Sequence, residues 1–190
     1  MTVYEAATNR RSIRKFTQKP IPREKLEGFV AAARLAPSGH NMQPIKYAIV
    51  NDPPTVQKIF ENVKWAAYIA PEGDPAEGER PTTFIIVLAD TTIRASGYEI
   101  DAGVAIENLI LSAWEEGIGS CLMTSINKEA IRKIIGAGET LTVIAALALG
   151  YKGEDPKLEV LTDSVKYWKD GSGTLHVPKR SLNEVLFTKK

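Results

Sequence analysis

The side chains best suited to binding a charged ligand lie in a basic segment near the N-terminus. This segment, Asn9–Phe16, contains Arg10, Arg11, Ser12 and Arg14. Guanidinium groups offer paired N–H donors that match the oxygens of a phosphate, and a serine hydroxyl adds another donor. The pattern therefore indicates a phosphate-binding site. The alternative is a solvated basic surface, which the charge run taken alone favours.

A polar loop before a predicted strand could recognise a different kind of chemical group. Residues 36–44 place Ser38, Asn41 and Gln43 at close spacing, and their side chains offer several hydrogen-bond donors and acceptors. Such a set suits the edge of a heterocycle. The alternative is an ordinary polar turn. His40, in the same loop, could donate a proton, although a lone loop histidine is more often a solvated residue.

The sequence lacks the motifs that would place catalysis on protein side chains. It contains no P-loop, no GxGxxG after a strand and no nucleophile elbow. The two histidines are far apart, which argues against a metal site, and we expect Cys121 to be a packed core thiol. If the protein is an enzyme, a bound cofactor should therefore supply the reactive atoms.

Charge, hydropathy and cysteine usage bear on location and partners. A formal net charge of +1 argues against general nucleic-acid binding. The N-terminus has no apolar core of a signal peptide, and no apolar run is long enough to cross a bilayer. A single cysteine excludes an internal disulfide. We therefore expect a cytoplasmic protein that acts on small molecules and binds neither nucleic acid nor membranes.

A broadly apolar helix, Asp101–Glu116, is the central element of the predicted fold. Apolar positions cover about two-thirds of its circumference, which is more than a surface helix needs. The helix is therefore either a central core helix or one that also contacts a second subunit. Gly117 is placed to end it, and a strand, Ile118–Met123, follows at once.

The other hydrophobic patterns predict alternating strands and helices. A length of 190 residues favours one domain spanning 1–190, and the alternation by itself predicts a doubly wound parallel sheet. The segment 66–81 should be a functional or mobile loop, and the tail, 151–190, should wrap across the surface or the partner subunit. The other predicted strands are Ile45–Val50, Thr83–Asp90 and Thr142–Leu149, and the other helices are Val3–Thr8, Arg23–Leu35, Thr55–Lys64, Lys128–Ile135 and Ser181–Phe187.

Four motifs occur in a defined order along the chain. They are RRSIR at 10–14, PSGHNMQP at 37–44, DAGVAIENLILSAWEEGIGSC at 101–121 and PKRSL at 178–182. Together they resemble the FMN-dependent nitroreductase family over nearly the whole chain. The resemblance implies an α+β fold with a mixed, largely antiparallel sheet flanked by helices, assembled as a homodimer. We adopt this expectation over the parallel sheet.

The resemblance also assigns residues to an FMN cofactor. The basic motif and the terminal basic pair would hold the phosphate and the ribityl chain. The polar loop would pack on the flavin ring, and a backbone amide near Thr124, where the family often has Gly or Glu, would face the flavin N5. No side chain is assigned a catalytic role. The assigned residues are Arg10, Arg11, Ser12, Arg14, Pro37, Ser38, Asn41, Gln43, Met123, Thr124, Ser125, Lys179 and Arg180.

The activity that the resemblance implies is a ping-pong reduction. NADH or NADPH would reduce bound FMN and leave, and a nitroaromatic, a quinone or a similar electron-poor acceptor would then enter the same pocket. Two alternatives use the same residues. One is a flavoenzyme specialised for oxidising a particular metabolite, and the other is a non-catalytic flavin or nucleotide sensor.

Overall fold

The apolar strands form a four-stranded antiparallel sheet. The computed structural model describes residues 1–187. The strands β1 (Ile45–Val50), β2 (Thr83–Asp90), β3 (Ile118–Met123) and β4 (Leu141–Tyr151) lie in the order β1-β2-β4-β3. Every neighbouring pair is antiparallel. β2 is buried along almost its whole length, which explains why it is apolar at successive positions rather than at alternate ones.

The alternation of strands and helices predicts a parallel sheet, and this prediction is wrong. β2 and β3 do run in the same direction, because each is antiparallel to β4. However, β4 lies between them, so the two are not hydrogen-bonded to each other. Alternation along the chain cannot reveal that a later strand inserts between two earlier ones. The α+β arrangement implied by the resemblance is confirmed.

Helices cover both faces of this sheet. α2 (Arg23–Ala33) and α4 (Glu99–Glu115) pack on one face, whereas α3 (Pro53–Phe60) and α5 (Lys128–Ile134) pack on the other. α1 (Val3–Asn9) lies against α4. Each face therefore has its own hydrophobic core. Within residues 1–187, none of the helices combines the length and apolarity that a membrane crossing requires.

The C-terminal tail forms a second, smaller sheet that the sequence patterns do not predict. β5 (Lys157–Val160) is parallel to β7 (Leu175–Lys179), and β6 (Trp168–Lys169) is antiparallel to β7. α6 (Leu182–Val185) follows inside the helix predicted at 181–187. β5 and β6 are short and largely exposed, and β7 buries only Leu175 and Pro178, so the strands carry little hydrophobic periodicity. Residues 188–190 of the predicted tail lie outside the described residues.

An ion-paired histidine joins the strands of the smaller sheet. On β7, His176 places Nδ1 2.7 Å from the Glu159 carboxylate and Nε2 3.1 Å from the Asp170 carboxylate. Both ring nitrogens can donate only when the imidazole is protonated. Hydrogen bonds to Glu159 and then to Asp170 raise the pKa of His176 above its ordinary value. The Trp168 ring stacks on the imidazole with 5.2 Å between centroids.

We expect the smaller sheet to lose stability as the pH rises. The ion pairs are fully formed below the unfolded-state pKa of histidine, about 6.5, and are lost as the pH rises through the raised folded-state pKa. An NMR titration of the imidazole Cε1–H signals should place the pKa of His176 above that unfolded value, and Glu159→Gln should lower it. His40→Gln removes the second histidine and so assigns the signals. A His176 pKa at or below the unfolded value would contradict this interpretation.

Candidate functional site

Two cavities meet at Arg14 and Tyr167. One, called the basic cavity below, has a volume of about 270 Å³. The other, called the cleft, has a volume of about 550 Å³. Arg14 and Tyr167 line both and so form the boundary between them. The two spaces together could hold an elongated ligand that has one charged end.

The basic cavity is built to receive an anion. It is lined by Arg11, Ser12, Arg14 and Lys179, and none of the described residues that line it is acidic. The Nε atoms of Arg11 and Arg14 are buried and have no hydrogen-bond partner within residues 1–187. Burial and then the positive charge of Arg10 lower the pKa of Arg11. Because unpaired buried donors are costly, an anion with several oxygens would relieve this arrangement.

The basic segment reaches the sheet because two strand positions are glycine. The N–H of Ile13 donates to the carbonyl of Ser120 at 2.9 Å, on the outer edge of β3. A Cβ at Gly119 would lie 2.6 Å from the Ile13 side chain, and one at Gly150 would lie 2.7 Å from Phe16. Both apolar side chains are buried, so they fix the segment against β3 and β4. This packing positions Ser12 and Arg14 in the cavity.

Two of the predicted phosphate ligands are already engaged with carboxylates. Arg10 donates two hydrogen bonds of 3.0 Å to Glu107 on α4, although its side chain still borders the basic cavity. Arg180 lies 3.3 Å from Glu184 and is not among the residues that line the cavity. Arg10 therefore anchors the basic segment to α4.

The cleft has an apolar interior and a polar rim. Trp65, Ala66 and Met123 are buried and belong to the hydrophobic core beneath it. Thr124 and Ser125, which follow the end of β3, are exposed at the rim. The three residues predicted to face a flavin ring, Met123 to Ser125, are thus brought together in one cavity. A flat apolar group fits between such walls.

Cys121 forms part of the buried wall of the cleft. Its side chain packs in the core, as expected from the sequence. Burial raises the pKa of the Cys121 thiol, although the charge of Arg14 acts in the opposite direction. The thiol is therefore protonated near neutral pH, which favours a packing role over a nucleophilic one.

A buried aspartate organises the polar loop. Asp101 accepts hydrogen bonds from the Ser38 hydroxyl at 2.9 Å and from the Gly39 N–H at 3.1 Å, and it pairs with Arg94 at 3.1 Å. Burial would raise the pKa of Asp101, but these hydrogen bonds and the Arg94 charge outweigh it and hold the pKa below its usual value. In the sequence Asp101 is only the first residue of the predicted helix, and nothing there showed that its side chain is buried.

The polar loop lies away from the cleft within one chain. Pro37, Ser38 and Gln43 border a depression of about 180 Å³ beside α2 and α4, whereas the cleft is on the α3 and α5 side of the sheet. The Gln43 side chain donates to Asn41. His40, Asn41 and Gln43 have positive φ angles, which are strained for residues other than glycine and often occur at functional sites. One chain therefore does not bring this loop to the cleft.

Two aromatic residues of the site were not predicted as ligand-binding residues. Tyr167 lies in the tail predicted to wrap across the surface, and Trp65 immediately precedes the predicted loop at 66–81. Trp65 is buried, and its Nε1 has no partner within the described residues. No local motif marks either residue, because each reaches the site from a loop distant in sequence.

The fold and the site together define a class of protein, in which helices flank an antiparallel sheet and a basic cavity lies beside an apolar cleft. The chain belongs to the nitroreductase family, whose sequence model matches residues 7–151. It is 31% identical over 153 residues to an Archaeoglobus fulgidus protein named "Putative NADH dehydrogenase/NAD(P)H nitroreductase", covering 77% of this chain and 83% of that protein. The family recognised from the four motifs is confirmed.

Solved structures share the fold. A nitroreductase-family protein from Clostridium novyi NT is 28% identical, with a TM-score of 0.69, and the match covers 80% of this chain and 87% of that one. A Desulfovibrio desulfuricans protein, described as a "putative nitroreductase in complex with fmn", is 21% identical with a TM-score of 0.74. That match covers 100% of this chain and 98% of the other. The smaller C-terminal sheet lies beyond the region that the family model matches.

Gly119→Ala should displace Ile13 and, with it, the basic segment. Overpacking of this kind typically costs about 1–3 kcal/mol, so the urea midpoint of unfolding should fall. Gly138→Ala is the matched control, because no other atom of residues 1–187 comes within 4 Å of a Cβ placed there. Equal urea midpoints for the two variants would show that the close approach at Gly119 is unimportant.

Proposed function

We propose that the protein is an FMN-dependent oxidoreductase that uses NADH or NADPH to reduce electron-poor small molecules such as nitroaromatics or quinones. The observation that carries the proposal is the junction of the basic cavity and the apolar cleft at Arg14 and Tyr167. FMN has a phosphate at one end and a flat ring at the other. Membership of the nitroreductase family and the names of the relatives support the same assignment.

The basic cavity would hold the phosphate. Arg11, Ser12, Arg14 and Lys179 would donate to its oxygens, and the buried guanidinium nitrogens would gain the partners that they lack among the described residues. Arg10, paired with Glu107, would act by holding the segment in place. Arg180, which the resemblance assigns to the phosphate site, would instead stabilise the start of α6 through its contact with Glu184.

The cleft would hold the isoalloxazine ring. Bound FMN would supply the redox chemistry, with reduced nicotinamide as the donor and the small molecule as the acceptor. Met123, Thr124 and Ser125 would place backbone groups at the ring edge, while the apolar wall excludes water. Fixed N–H donors and nearby cations stabilise negative charge on a ring in such a site. We also place the protein in the cytoplasm, where a reducing environment keeps an unpaired cysteine such as Cys121 in the thiol form.

Replacing Arg14 should weaken FMN binding more than replacing its neighbour. Loss of a charge-assisted hydrogen bond costs about 2 kcal/mol, so Arg14→Ala should raise the Kd about 30-fold. Lys15→Ala is the matched control, because the Lys15 ammonium lies 2.9 Å from Glu79 and does not line the basic cavity. Flavin fluorescence quenching measures both affinities. Equal Kd values for the two variants would instead favour the interpretation that the basic segment is only a solvated surface.

We further propose a homodimer in which the polar loop of each subunit completes the cleft of its partner. The loop and the cleft lie on opposite sides of the sheet within one chain, which is why a second copy is needed to join them. α4 leaves Ile100 79% exposed and Val104 37% exposed, so an apolar flank is available for a partner. Leu109 and Ile110, by contrast, are buried within the chain.

Mixed dimers should recover FMN binding if the sites are shared. Arg14→Ala damages the cavity, and Asn41→Ala with Gln43→Ala damages the loop. In a mixed dimer, the undamaged cavity of one subunit would meet the undamaged loop of the other, so one of the two sites would be intact. Co-expression with two different affinity tags isolates this species.

The expected result is tight binding of about one FMN per mixed dimer, against weak binding by either parent variant. Dimer formation and FMN binding are thermodynamically linked, so the apparent FMN affinity depends on protein concentration. The protein concentration is therefore held equal across the samples. If loop and cavity acted within the same chain, each site of the mixed dimer would be damaged. Weak binding by the mixed dimer would then rule out the shared site.

A further inference from the structure

A run of side chains in contact connects the basic cavity to the wall of the cleft. The Arg14 guanidinium carbon lies 5.0 Å from the centroid of the Tyr167 ring. The Tyr167 ring lies 5.0 Å from that of Tyr68, at an interplanar angle of 52°. The N–H of Tyr68 also donates to the Tyr167 hydroxyl at 3.4 Å. Lys166 lies over the Tyr68 ring, 6.0 Å from its centroid.

Tyr68 belongs to the segment that walls the cleft. This wall segment, 66–74, contributes Ala66, Ala67, Ala70 and Asp74 to the lining of the cleft. Its middle is a short 3₁₀ helix, 67–69, and Tyr68 itself is half exposed. The position of the wall segment therefore depends on what its outer surface contacts.

The outer surface of the wall segment rests on the C-terminal tail. Tyr167 contacts Tyr68, and the Lys169 ammonium donates to the Glu72 carbonyl at 2.6 Å. Tyr167 immediately precedes β6, a strand of only two residues, Trp168–Lys169. Few hydrogen bonds of the sheet thus hold Tyr167 in place. Its contacts with Arg14 and Tyr68 carry correspondingly more weight.

An anion and Tyr167 can bind Arg14 at the same time. A guanidinium group stacks through its face and donates hydrogen bonds along its edge, so the two interactions use different parts of the group. The buried Nε of Arg14 has no partner within residues 1–187. An anion in the basic cavity would therefore restrict the guanidinium plane against which Tyr167 rests.

We propose that Tyr167 is a positioning residue that transmits occupancy of the basic cavity to the wall of the cleft. An anion bound at Arg14 orders Tyr167, Tyr167 orders the wall segment through Tyr68, and the ordered wall sets how tightly the acceptor fits. The inference rests on the proposed function and deepens it. FMN then does more than supply redox chemistry, because its phosphate end shapes the pocket that the acceptor enters.

Hydrogen exchange of the wall segment tests this coupling directly. In the wild type, FMN should slow amide exchange in peptides covering 66–74. Tyr167→Leu, which removes both ring contacts, should abolish most of that slowing at saturating FMN. Tyr167→Phe keeps the ring contacts with Arg14 and Tyr68 and loses only the long 3.4 Å hydrogen bond from the Tyr68 N–H, so it should retain most of the slowing. Tyr4→Leu, an exposed tyrosine of α1 that lines neither cavity, is the matched control and should behave as the wild type.

Steady-state kinetics provide a second readout. With FMN saturating and a benzoquinone as acceptor, Tyr167→Leu should raise KM about tenfold and change kcat by less than about threefold, because the wall affects acceptor fit. Tyr68→Leu should do the same, and the double variant should be no worse than either single variant, since the two residues act in one pathway. If the double variant raised KM by the product of the two single-variant factors, the result would contradict the coupling.

The outcomes separate this inference from the proposed function. If the wild type binds no FMN, the proposed function fails, and the same exchange comparison with inorganic phosphate tests the coupling alone. If the ligand binds and exchange at 66–74 is unchanged, the coupling is overturned. Equal slowing in the wild type and in Tyr167→Leu overturns it as well, as does a Tyr167→Phe variant that behaves like Tyr167→Leu.

Discussion

The close approach of the basic segment to the sheet is the constraint on which the site depends. Ile13 can pair with the outer edge of β3 only because Gly119 has no side chain, and Phe16 packs over Gly150 for the same reason. In an extended segment, successive side chains point to opposite sides. Burying Ile13 therefore sends Ser12 and Arg14 the other way, into the basic cavity.

The long helix α4 holds both parts of the proposed ligand site. Near its N-terminus, Asp101 anchors the polar loop through Ser38 and Gly39, and these hydrogen bonds together with Arg94 offset the cost of burying its charge. Farther along, Glu107 anchors the basic segment through Arg10. The helix then turns at Gly117 into β3, which ends at the cleft. A change in α4 would therefore affect groups on both sides of the sheet.

Most of the main elements could be predicted from hydrophobic pattern. β1, β2 and β3 have the predicted bounds, because each is an apolar run between polar or turn-forming residues. Helix ends were less accurate: the helix predicted to reach Lys64 ends at Phe60, since nothing in a periodic pattern marks where the chain leaves the helix. The smaller sheet was missed because its strands present few buried side chains, and the position of Tyr167 beside β6 was missed with it.

The sequence by itself determined the family, the apolar strands and the positions of the basic and polar segments. The family follows from the resemblance of four motifs, the basic and polar segments from residue type, and the strands from hydrophobic pattern, which depends on which side chains must be buried. Only the tertiary structure decided which cations are free to bind an anion: Arg10 is paired with a glutamate 97 residues away, whereas Arg14 meets Tyr167 and has an unpartnered Nε among the described residues. It also decided that the polar loop and the cleft lie on opposite sides of one sheet. The role of a charge is set by groups within a few ångströms, and separation along the chain does not reveal those neighbours.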